Sequence, residues 1–153
     1  MLKFFVDADA CPYAEEIIAV LQHFDAEAIF VANRELPRLQ KRNKVCTILT
    51  GLEFSAVDDW ILQAIRPLDV LLTADLELSK KSLQLGAKVF SYRCKELNFE
   101  NIHEALALHQ FALAQREEKG PKHQRQRSIG AVGRKQRSQF KNEFHNFLAR
   151  QGA

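Results

Sequence analysis

Short apolar runs alternate along the chain with segments whose apolar positions recur at helical spacing. Residues 2–6 (Leu-Lys-Phe-Phe-Val), 28–32 (Ala-Ile-Phe-Val-Ala), 45–50 (Val-Cys-Thr-Ile-Leu-Thr), 69–73 (Asp-Val-Leu-Leu-Thr) and 88–90 (Lys-Val-Phe) read as five strands. Between them, Ile17, Ile18, Leu21 and Phe24 mark a helix over 12–24, with Pro12 suited to its first turn. Val57, Ile61, Ala64 and Ile65 mark a second, with Ser55 as N-cap and an end before Pro67. Leu76 to Leu85 predicts a short third helix, with Gly86 at its C-terminus. Asn98 precedes a longer one whose inward face is Ile102, Ala105, Leu106, His109 and Leu113. The last amphipathic segment carries Phe140, Phe144, Phe147 and Leu148 on one side.

Strands that alternate with helices predict a three-layer α/β/α fold around a central, mainly parallel sheet. The chain divides into an α/β domain over 1–115, a basic flexible linker over 116–133 and a C-terminal amphipathic helix over 134–153. At 153 residues, with 46% hydrophobic and 27% charged, it needs neither disulfide nor structural metal to fold. Cys11, Cys46 and Cys94 form no C-x-x-C pair, and an export signal and a membrane span are not expected, so a cytoplasmic location is. Cys11 reads as a packing residue.

Charge is unevenly shared. Residues 1–115 hold 12 Lys+Arg and 16 Asp+Glu, a balance of −4; residues 116–153 hold 10 and 3, a balance of +7, giving the chain's +3. A basic arm suits a polyanion. Arg125, Arg127, Arg134, Lys135 and Arg137 are its candidate backbone-phosphate contacts.

The acidic body has its own logic. Ligands of open parallel sheets bind beyond the carboxyl ends of the strands, where strand order reverses. The first strand runs into Asp7-Ala-Asp9 and the fourth into Thr73-Ala-Asp75. If those strands are neighbours, three carboxylates converge, and Asp58 and Asp59 from the second helix join them. A divalent cation, Mg²⁺ or Mn²⁺, would relieve their repulsion. Mg²⁺ is typically held by one or two carboxylates together with substrate phosphates. Asp7, Asp9 and Asp75 are the candidate metal ligands, and Asp58 or Asp59 would bind a second metal or orient water. Asn33, Thr73 and Lys80 are candidate contacts for phosphate or nucleic acid. Each acid also has a local role available, as a helix cap or at a helix N-terminus.

The strings Asp7-Ala-Asp-Ala-Cys-Pro12, Val31-Ala-Asn33, Asp58-Asp-Trp-Ile61 and Thr73-Ala-Asp75 resemble the YaiI/YqxD family of uncharacterised bacterial proteins. Asn101-Ile102, Ala105-Leu106 and the helix around Phe140 extend the resemblance over nearly the whole chain. Two places depart from the family pattern. Leu76-Glu-Leu-Ser79 stands where the family reads Ile-Pro-Leu-Ala, and Lys135 is followed by Gln136 where the family often has an acid. The resemblance implies a PIN-like fold with acids at one sheet edge, as in metal-dependent ribonucleases. The expected function is therefore divalent-metal-dependent hydrolysis of phosphodiester bonds, RNA before DNA. One alternative is a nucleic-acid-binding module without catalysis. Another is a phosphatase of the haloacid dehalogenase type, which matches Asp7-x-Asp9 but lacks the acidic pair after the lysine.

Overall fold

A computed structural model describes residues 1–119 and 132–151. Its elements are β1 (Leu2–Asp7), α1 (Ala14–Leu21), β2 (Ala26–Ala32), β3 (Val45–Leu49), α2 (Ala56–Ala64), β4 (Val70–Thr73), α3 (Leu76–Gln84), β5 (Lys88–Ser91), β6 (Lys95–Leu97), α4 (Ile102–Lys119) and α5 (Arg134–Arg150). The strands form one sheet in the order β3-β2-β1-β4-β5-β6. β1 to β5 are parallel, and β6 is antiparallel to β5. The order reverses at β1, which lies between β2 and β4.

Side chains alternate across the sheet with the period of two that strand geometry imposes. Phe4, Val6, Ala28, Phe30, Val70, Leu72 and Phe90 face α1 and α5, while Phe5, Ile29, Val31, Leu71 and Val89 face α2, α3 and α4. The result is three layers with two cores.

The C-terminal helix belongs to the first core. Phe140, Phe144, Phe147 and Leu148, spaced at i, i+4, i+7 and i+8, have no exposed surface. Phe90 of β5 meets all three phenylalanines, with ring centroids 5.1–5.7 Å apart. Tyr13 stacks on Phe140 at 4.1 Å. Burying one such ring contributes about 1.5–3 kcal/mol. The helix is also tied to α1 by Arg137, whose guanidinium donates to Glu16 Oε1 and to the Pro12 carbonyl, each at 2.8 Å, and to the Val132 carbonyl at 3.1 Å.

Several local expectations change. Ser55 stands at the N-cap of α2, but its hydroxyl donates to Asp59 Oδ2 at 2.9 Å and makes no cap bond. Gly86 ends α3 with φ +87, a conformation that costs glycine little, and Pro67 leaves scant room for a Cβ there. The three-residue β6 is too short and polar to show a period in the sequence. His109 and Leu113, expected on a buried face, are exposed, and α4 buries only Ile102 and Leu106 among its described side chains. The reason is length: 18 residues make a helix of about 27 Å, whereas the four-residue β5 beneath it spans only about 13 Å. The helix runs on to Lys119, past the expected start of the linker at 116, because no helix breaker precedes Gly120. Among the described residues, no helix is long and apolar enough to cross a membrane.

Candidate functional site

Five parallel strands bring five carboxyl ends to one edge of the sheet, and the acids collect at its centre. Asp7 ends β1 and is half-buried. Its Oδ2 accepts a hydrogen bond of 2.8 Å from the hydroxyl of Thr73, the fully buried last residue of β4. The same hydroxyl oxygen accepts the Asp75 N–H at 3.0 Å. Thr73 thus links the acids of the two central strands and holds Asp7 in one rotamer. Tyr92, just past β5, donates its hydroxyl to the carbonyls of Asp7 at 2.8 Å and Leu72 at 3.0 Å, locking the two strand ends together.

Asp9 leans the other way. Its carboxylate accepts the backbone N–H of Asn33, past the end of β2, at 3.2 and 3.3 Å, and Arg34 Nε lies 3.9 Å from its Oδ1. Asp75 caps α3, accepting the Leu78 N–H at 3.0 Å on Oδ1. That local role is real, and it leaves Oδ2 without a hydrogen bond among the described residues. Asp58 and Asp59 occupy the first turn of α2. Asp58 is half-buried, while Asp59 is exposed and takes the Ser55 hydroxyl.

The charges of Asp7 and Asp75 reach across to Asp58, with Asp9 acting on Asp7 and Asp59 on Asp58. Burial raises the proton affinity of Asp7; the Thr73 hydrogen bond opposes this, and the charges of Asp75 and Asp9 add to it. Burial, then the charges of Asp75, Asp7 and Asp59, raise the Asp58 carboxyl to about 6, with Lys81 pulling it back. Asp9, on the β2 side, acts on Asp7. The convergence expected from strand order is thus present as an Asp7–Asp58–Asp75 group with Asp9 to one side. Among the described residues, no three His, Cys, Asp or Glu side chains stand where they could hold a metal ion by themselves. The acids fit a cation only as a partial shell, with one or two carboxylates completed by water and substrate oxygens.

The remaining candidates are scattered. Asn33 meets the site through its backbone, and its side chain is exposed at the rim. Lys80 is half-buried on α3, and the lysine that acts on Asp58 is its neighbour Lys81. Arg134 and Lys135 are exposed at the start of α5. Arg137 is engaged with α1. Arg125 and Arg127 lie outside the described residues. Cys11 is held as a thiol, burial pushing it up to about 11, so it is no nucleophile at neutral pH.

Two site residues have no role assigned from the sequence, Arg34 and Tyr92, while Lys81, a candidate phosphate contact with Lys80, lies instead where its charge acts on Asp58. Arg34 carried a usable signal, since it follows a strand end just as Asp7 does. Tyr92 carried none, because its role depends on which carbonyls β1 and β4 present to it.

The family model described as "Uncharacterized BCR, YaiI/YqxD family" matches residues 5–150. The chain is 38% identical over 107 residues to a UPF0178 protein of Rhodospirillum centenum, covering 70% of this chain and 69% of that one. It is 34% identical over 113 residues to a UPF0178 protein of Rhizobium meliloti, with 74% and 77% covered. It is 32% identical over 106 residues to one of Rhodopseudomonas palustris, with 69% and 64% covered, so it spans slightly under two thirds of that relative. No solved structure matches the chain. With the match running from β1 through α5, the chain belongs to the YaiI/YqxD family.

Proposed function

We infer that this protein is a divalent-metal-dependent nuclease that hydrolyses phosphodiester bonds, RNA in preference to DNA. The observation that carries the reading is that Asp7 and Asp75 end the two strands at the strand-order reversal, joined through the Thr73 hydroxyl, with Asp58 within reach of both charges. Like charges that act on one another in a folded protein favour a counter-charge. The PIN-like resemblance supplies the chemistry that such a centre performs. Asp7 and Asp75, with Asp9 from the β2 side, would hold Mg²⁺ or Mn²⁺, which when bound activates water and neutralises charge developing at phosphorus. Thr73 keeps Asp7 aimed into the crevice. Asp58, half-buried beside Asp7 and Asp75, would accept a proton from the attacking water.

The test is hydrolysis of end-labelled single-stranded RNA and DNA in Mn²⁺, with calorimetric titration of Mn²⁺ in parallel. Asp7→Asn and Asp9→Asn should abolish cleavage while the proteins stay folded, and Asp58→Asn should lower kcat by about 10²–10⁴-fold. No cleavage of either polymer by the wild type refutes the reading. The second reading, a nucleic-acid-binding module without catalysis, is favoured by the missing three-residue metal cluster among the described residues. Binding that survives Asp7→Asn with no turnover in the wild type would establish it.

A further inference from the structure

We propose that the carboxyl edge of the sheet is a track for a single-stranded polynucleotide, with a base stacked on Phe54 and phosphates held on both sides of the acids by Arg34 with Arg38 and by Arg93 with Lys95. This rests on the nuclease reading for what happens at the centre and adds how the strand is held. It moves the main polyanion contact from the C-terminal arm to the body of the domain.

The order of strands carries the argument. Because β3, β2, β1, β4 and β5 are parallel and adjacent in that order, the residues after each strand line up along one edge. Read across, that edge presents Phe54 after β3, Arg34 after β2, Asp7 and Asp9 after β1, Asp75 after β4 and Arg93 after β5. Four strand spacings make this about 19 Å. An acidic centre is thus flanked by cations in space, although in sequence they lie far apart.

Each flank has a hollow. Past the end of β2, a cavity of about 430 Å³ is lined by Arg34 and Arg38 together with Glu35 and with Glu15, whose charge Arg42 already takes. Beyond β4, a groove of about 480 Å³ runs from Leu76 and Ser91 past Arg93, Lys95 and Arg116, with three cations to the single acid Glu104. Arg38, Arg93 and Lys95 are exposed and form no salt bridge among the described residues. Arg34 is 63% exposed, and its 3.9 Å approach to Asp9 is too long for a hydrogen bond. The aromatic is equally telling. Phe54 is fully exposed one residue before the N-cap of α2, four residues from Asp58. A phenylalanine there buries nothing of its own fold, and exposed aromatic faces are the common means of holding unpaired bases. A base inside a duplex has both faces covered by its stacked neighbours, so the track selects single strands.

The experiment is fluorescence anisotropy of a labelled single-stranded RNA of about twelve nucleotides with the full chain in EDTA, which isolates binding from turnover. Single-stranded DNA and the RNA duplex of the same sequence are the other arms. Phe54→Ala should weaken binding about 5- to 100-fold. Arg34→Glu with Arg38→Glu, and Arg93→Glu with Lys95→Glu, should each weaken it by about 10-fold or more at low salt. Each pair should also flatten the slope of log affinity against log salt by about 0.7 for every phosphate it no longer neutralises. Lys141→Glu, on exposed α5 surface, is the charge control. Thermal melting confirms that all variants fold. Wild-type affinity in Phe54→Ala and in both charge pairs overturns the track, as does duplex binding as tight as single-strand binding. Loss only in Arg134→Glu with Lys135→Glu returns binding to the C-terminal arm and also overturns it. The expected binding losses without any Mn²⁺-dependent cleavage leave the track standing and remove the nuclease reading. Cleavage of single strands that none of the track variants slows removes the track alone.

Discussion

Asp58→Asn should stabilise this protein at neutral pH and leave it nearly unchanged in acid. The wild-type carboxyl is raised in the folded state from 3.8 to about 6 by burial and by Asp75, Asp7 and Asp59. Between those values the folded protein binds more protons than the unfolded chain, so stability falls as pH rises through that window. The penalty is absent below pH 4 and complete above pH 7. At about 1.36 kcal/mol per pH unit the whole shift would be worth about 3 kcal/mol. Asp58 is only half-buried, and solvent screening reduces this to about 1 kcal/mol. An asparagine removes the charge without changing the shape. Urea melts of both proteins at pH 3.5 and 7.5, in EDTA so that stray cations do not mask the repulsion, should show the variant's advantage growing by about 1 kcal/mol, and thermal melts by about 2–4 °C in Tm. An equal effect at both pH values, or a variant less stable at pH 7.5, refutes the shared field and the site built on it.

Other consequences are accessible to simple measurements. Thr73→Val removes the hydroxyl that serves both Asp7 and Asp75; it should lower stability by about 1–3 kcal/mol in urea melts and abolish any metal-dependent cleavage, because Asp7 loses its fixed rotamer. Phe144→Ala, which empties a fully buried site between Phe4 and Phe90, should cost about 3–5 kcal/mol by the same assay; a loss under 1 kcal/mol would mean that α5 is not part of the core. Iodoacetamide at pH 8, read by mass spectrometry, should modify exposed Cys46 first and Cys11 last, since burial keeps the Cys11 thiol near 11. Rapid labelling of Cys11 in the folded protein would contradict the raised proton affinity of its thiol.

Much of the fold was written in local patterns. Five parallel strands and five helices follow from apolar runs and helical periods, because burial on two faces demands continuous apolar strands and burial on one face demands a stripe. The C-terminal stripe of Phe140, Phe144, Phe147 and Leu148 announced a buried helix, and its partner, Phe90 of β5, emerged only from the sheet order. Strand order is a long-range choice that no local period encodes. It places Asp7 beside Thr73 and Asp75 across 66 and 68 residues of chain, turning separate cap-like acids into one field. It also decides which cations matter. The basic C-terminal arm is conspicuous in composition, yet folding commits Arg137 to Glu16 and the Pro12 carbonyl. Arg34 and Arg93 are unremarkable as letters and gain meaning because parallel neighbours bring their strand ends to the same edge. The sequence alone determined which residue types end each strand, since those are covalent neighbours. Only the tertiary structure decided which of those ends meet, because pairing energies between distant strands, and not the chain's own connectivity, set the order of the sheet.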